Sequence, residues 1–127
     1  MRPVSSTLST ALNALVAALD APRREGASLG GWRWTVRQRM ASVRDALMEE
    51  TNDHDDGWLA ARGGSAFRER NVLLGRLGDL GARVLEEPDV AAVRTEVARL
   101  VADVDHHVQR LRALAYDEVE MELGGSD

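Results

Sequence analysis

The sequence predicts an all-α fold, an antiparallel up-down-up-down four-helix bundle, and three observations lead there. Apolar residues recur at three- and four-residue intervals along nearly the whole chain, the spacing of one face of a helix. No stretch of strict apolar/polar alternation competes as a strand. Turn-forming residues divide the periodic segments into four. Four amphipathic helices joined by short connections bury their stripes most simply by packing side by side in alternating directions.

The first helix is expected over about 5–20, where Leu8, Leu12, Leu15, Val16 and Leu19 share a face behind the Ser/Thr cluster. The segment "APRREGASLGG" then reads as a loop. A second helix, about 31–56, carries Trp32, Val36, Met40, Val43 and Leu47 on its stripe, with Gly57 and the Gly63-Gly64 pair as the breaks behind it. Ser65 is placed to cap a third helix, about 65–87, with Phe67, Leu73, Leu74, Leu77, Leu80, Val84 and Leu85 facing inward. Its interior glycines each cost about 1 kcal/mol against alanine. After "EEPD", Asp89 caps a long fourth helix, about 89–121, bearing Val90, Val93, Val97, Leu100, Val101, Val104, Val108, Leu111 and Ala115.

A length of 127 residues accommodates one domain, 1–127, with a real core. Hydrophobic residues at 44% and charged residues at 29% are the balance of a folded, soluble protein. No apolar run approaches the roughly 20 residues that span a bilayer, and "MRPVSSTLST" lacks the layout of a secretory signal, so the expected address is the cytoplasm, with no membrane partner. Cysteine is absent, which excludes disulfides, thiolate nucleophiles and cysteine-ligated metals. Lysine is absent too, and all 16 basic side chains are arginine, which removes Schiff-base chemistry and the P-loop lysine. Isoleucine is also missing, a codon pattern expected of a GC-rich bacterial genome. The net charge of −5 argues against nucleic acid as a partner, since a phosphate-binding face needs a basic surplus.

The stretch "LMEETNDHDDGW" gathers carboxylates around one of the three histidines. Extending the stripe of the second helix beyond Leu47 reaches Glu50, His54 and Trp58. On the fourth helix His107 stands at the edge of the seam and His106 is turned to solvent; on the third, Arg70 and Asn71 precede the leucines. His107 lies about eighteen residues past the turn between the third and fourth helices, which puts it level with Arg68 to Arg70. Ser6, Ser9 or Thr10 of the first helix should reach the same height. The expectation is one polar layer of Glu50, His54, Arg70, Asn71 and His107, with Asp103 within i,i+4 reach of His107. Such a layer serves either as a site for a metal or small ligand or as a satisfied buried network that sets helix register. As a calcium loop the stretch fails, since its first and third ligands would be Asn52 and His54 and its twelfth would be Gly63.

Other constellations are weaker. "GGWRWTVRQRM" interleaves aromatics with arginines, a pattern able to clamp single-stranded nucleic acid, but it also reads as a helix start with Trp32 inward and Arg33, Trp34 and Arg37 outward. "RGGSAFRER" offers an anion seat at a helix start or, more simply, a cap. No GxSxG occurs and no Ser/His/Asp set is persuasively spaced, so a catalytic role is not expected.

Two segments, "RDALMEETNDHDDGWLAARGGSAFRERNVLLGRL" and "LVADVDHHVQRLRALAYDEVEMELGG", resemble the hemerythrin-like, or HHE, family of bacterial four-helix bundles, particularly its ligand-poor cytosolic branch. The resemblance covers nearly the whole chain. Members that hold a di-iron centre carry a histidine on the first helix, HxxxE on the second, HxxxH on the third and HxxxxD on the fourth. Here the first and third helices contain no histidine, the second offers a reversed Glu50-xxx-His54, and Arg112 stands five residues after His107. The resemblance therefore implies the fold without the iron site: no metal, no cofactor, and an interaction or accessory module with a protein partner or a second copy of itself. Exposed Trp34 or Trp58 would supply the apolar patch for a homodimer. The alternative is a sensor in which Glu50, His54, Asp103 and His107 surround a metal or a small anion.

Overall fold

Four helices make up the fold: α1 (Ser6–Asp20), α2 (Leu29–Asp53), α3 (Asp56–Glu86) and α4 (Val90–Gly124). The computed structural model describes residues 6–20, 28–53 and 56–124, with side chains over 7–20, 28–49 and 64–113. Among the described residues there is no strand, and no helix is long and apolar enough to cross a membrane.

Each helix packs against its neighbour in sequence, and α1 closes the bundle against α4, while the diagonal pairs stay apart. The cross-links run antiparallel. Arg94, near the start of α4, reaches Asp20 at the end of α1 (3.7 Å), and Arg112, farther along α4, donates to Ser9 near the start of α1 (3.3 Å). This is the up-down-up-down bundle the periodicity predicts.

Burial follows the stripes. Leu8, Leu12, Leu15 and Leu19 of α1 meet Val36, Met40, Val43 and Leu47 of α2, Leu73, Leu77, Leu80 and Val84 of α3, and Val93, Val97, Leu100, Val104 and Val108 of α4 in one core cluster. On α4 the buried residues Val93, Val97, Leu100, Val104, His107 and Leu111 alternate steps of four and three. That is a seven-residue repeat, which keeps one seam turned toward its partners over the length of a helix. Trp32 packs against the core from the side, and Trp34 stands in solvent as expected. Val16 and Leu85, expected inside, are exposed, because each lies on the outer flank of its stripe.

The caps explain the boundaries. Ser28 accepts from the Gly31 amide (3.0 Å) and opens α2 at Leu29, two residues earlier than the periodicity alone suggests. Asp89 accepts from the Ala92 amide (3.1 Å) and opens α4, as its sequence context predicts. The expected breaks at Gly57 and Gly63-Gly64, with Ser65 as a cap, are corrected: α3 begins at Asp56 and runs through Gly57, Gly63, Gly64 and Ser65. Glycine costs a helix about 1 kcal/mol but does not forbid it, and the buried stripe that follows holds the segment helical. None of Gly30, Gly31, Gly64, Gly75, Gly78 and Gly81 has a positive φ.

Arg33 is a second correction. Expected to face solvent, it instead crosses to the end of α3 and donates to the backbone carbonyls of Val84 (2.8 Å) and Glu87 (2.6 Å). The last carbonyls of a helix have no intrahelical donor, and a guanidinium both satisfies them and complements the negative dipole end.

Two consequences are measurable by denaturant unfolding. Arg33→Ala should destabilise the fold by about 1.5–3 kcal/mol, since two part-buried charge-assisted bonds are lost. Gly78→Ala should stabilise it by about 0.5–1 kcal/mol, because a methyl group there meets nothing within 4 Å.

Candidate functional site

The seven-residue repeat of α4 places His107 in a core position, where its side chain is 2% exposed. A buried imidazole needs partners for its ring nitrogens. Nδ1 lies 2.7 Å from Oε1 of Glu69 on α3, and since a carboxylate only accepts, Nδ1 carries the proton and donates. The other carboxylate oxygen, Oε2, forms an ion pair with Nη1 of Arg110, one turn farther along α4 (2.9 Å). Glu69 is thus shared between a buried imidazole and a half-exposed guanidinium.

This triad is the last rung of a longer pattern. Along one flank of α3, Glu69, Arg76 and Arg83 are spaced by seven; along the facing flank of α4, so are Glu96, Asp103 and Arg110. They pair rung by rung: Arg83 with Glu96, Arg76 with Asp103 (2.7 Å), Glu69 with Arg110 (2.9 Å). The hydrogen bond and charge of Glu96 raise the Arg83 pKa above its ordinary value, with a smaller contribution from Glu87. Positions flanking a heptad seam are where interhelical ion pairs form in coiled coils. Exposed rungs such as Arg76 with Asp103 contribute little each, about 0–1 kcal/mol.

Among the described residues, those expected to form one polar layer separate. His107 is inside and His106 is exposed, as expected, and Ser9 does reach the neighbourhood through Arg112. Asp103 does not partner His107; it points outward to Arg76, because it lies on the flank of α4 and not on the seam. Arg70 is half-buried, with its guanidinium 4.7 Å from the Phe67 ring centroid and Nη2 donating to Oδ1 of Asn71 (3.1 Å). Its Nε is shielded from solvent and has no hydrogen-bond partner. Asn71 is exposed. His54 and the side chain of Glu50 lie outside the described residues.

Glu69 is the residue that the periodic reading passed over, although the level of Arg68 to Arg70 is correct. Leu73 is preceded by Glu69 at four residues and Arg70 at three, so both border the seam. The seven-residue spacing of Glu69, Arg76 and Arg83, matched on α4, is the sequence signal that singles it out.

Among the described residues no group of three or more His, Cys, Asp or Glu side chains is arranged to hold a metal. Beside the Glu69 rung, a groove of about 560 Å³ opens between α3 and α4, with Val72 and Leu73 as its apolar lining. No protein-family model matches the chain, and neither does any curated protein or solved structure at a significant level.

Removing the acceptor while keeping the imidazole tests the pairing. Glu69→Leu should lower unfolding free energy by about 1–3 kcal/mol, the cost of an orphaned buried donor. The Glu69→Leu, His107→Leu double variant should lose less than the two single losses together, with coupling of about 0.5–3 kcal/mol in a double-mutant cycle.

Proposed function

We propose that this chain is a non-catalytic, cytoplasmic helical-bundle module of the hemerythrin-like type. In this reading the level that carries metal ligands in iron-binding members is occupied by an ion-pair network, and the protein acts as an interaction or accessory component. The observation that supports this is the closed chain His107–Glu69–Arg110. The buried imidazole has its carboxylate, and that carboxylate has its guanidinium. A guanidinium beside the acid that holds His107 disfavours a metal cation there by charge repulsion. Asp103, one turn before His107 on α4, is already paired with Arg76 on the outer flank.

An accessory module acts through its surface. Trp34 is the most exposed aromatic among the described side chains, at 56%, and stands on the outer side of α2, so in this reading it takes part in contact with a partner protein or a second copy.

Metal analysis of protein purified without chelator tests the reading. The expected result is iron and zinc well below one equivalent per chain, unchanged in the His54→Ala, His107→Ala double variant. Stoichiometric iron or zinc in the natural sequence, lost in that variant, would instead establish a metal-binding sensor built on Glu50, His54, Asp103 and His107.

A further inference from the structure

The groove beside the Glu69 rung combines features that the ion-pair network does not use. Its lining brings three guanidiniums, Arg68, Arg76 and Arg110, against two carboxylates, Glu69 and Asp103. Both carboxylates are engaged, Glu69 twice over, by His107 and Arg110, and Asp103 by Arg76. Arg68 on the α3 rim and His106 on the α4 rim have no ion pair or hydrogen bond among the described residues. The position of Arg68 is defined by its neighbour: a Cβ on Gly64 would stand 3.1 Å from Nη1 of Arg68, so the guanidinium folds back over the glycine. That brings it to the Ser65 end of the groove. The floor is the edge of the buried Leu73, and Val72, itself 61% exposed, stands beside Arg68 on the α3 side.

We infer that this groove binds a small organic oxyanion, a phosphate or carboxylate carrying a compact apolar group. Arg68 supplies a planar pair of donors able to meet two oxygens at once, and His106 faces it from the opposite helix. Arg110, anchored by Glu69, adds positive charge without having to be ordered on binding. Val72 receives the apolar part above the edge of Leu73. The site lies on an acidic chain, yet its own balance is positive, and at physiological salt screening confines the effect of the remote acids to about 8 Å.

Phenyl phosphate, inorganic phosphate and benzyl alcohol are the probes, titrated into the full chain and followed by NMR shifts of backbone amides and arginine Nε–H groups. Phenyl phosphate should saturate shifts at residues 65–76 and 103–110 and bind more tightly than inorganic phosphate. Arg68→Ala and His106→Ala should each weaken it by about tenfold or more, the scale of one charge-assisted hydrogen bond. Arg99→Ala, in the neighbouring α3–α4 groove, should leave it unchanged. Arg68 and His106 are exposed, so these variants should keep the melting temperature of the parent. Non-saturable shifts, equal affinity in Arg68→Ala, or equal affinity for benzyl alcohol would overturn the oxyanion site. Inorganic phosphate binding as tightly as phenyl phosphate would overturn the role of the apolar floor.

Discussion

An imidazole almost wholly removed from water, bonded to a carboxylate that also holds a guanidinium, fixes how α3 and α4 face each other. Apolar seams alone would not. A leucine and valine stripe with a seven-residue repeat is nearly unchanged by a slide of seven residues, so burial tolerates several alignments. The charged flanks do not. Sliding α4 by one repeat in one direction opposes Arg76 to Arg110, and in the other Glu69 to Asp103, like charges in both cases. Either slide also takes His107 away from Glu69 and leaves a buried donor unpaired. The reversal of sign at the Glu69 rung is therefore what makes one alignment unique, and specificity comes from the penalty on the alternatives more than from the strength of any exposed pair.

The same rungs divide the α3–α4 face by availability. Inward of them lies a closed network; outward, Arg68 and His106 stand on opposite rims of an open groove with their hydrogen-bonding capacity unspent within the described chain. Arg70, on the other flank of the α3 seam, has a different role. It lies over its own helix neighbour Phe67, so part of its charge is met by a π face and by the Asn71 amide. Arg68 in the groove, Arg70 over Phe67 and Arg76 paired with Asp103 thus sit in three electrostatic settings, set by the direction each takes from the axis of α3.

Tertiary contacts also override local preference along the backbone. Gly63, Gly64 and Ser65 have the composition of a helix break, and yet α3 passes through them, since a helix held by its buried stripe absorbs about 1 kcal/mol per glycine. Arg33, in an exposed-looking run of arginines and tryptophans, becomes the cap of a helix more than fifty residues away in sequence. Ser28 and Asp89 behave in the opposite way: their capping bonds reach three residues and are legible locally.

The sequence by itself determined the number of helices, their order and the face each one buries, because those depend on a period of about 3.6 residues and a rise of 1.5 Å. It placed His107 in the interior and His106 outside by the same reckoning. Tertiary structure alone decided which flank of each stripe meets which neighbour. Periodicity gives the direction of the core but not the sense in which four helices turn around it, and that sense is what presents Glu69 to α4, leaves Arg70 over Phe67 and sends Asp103 to Arg76.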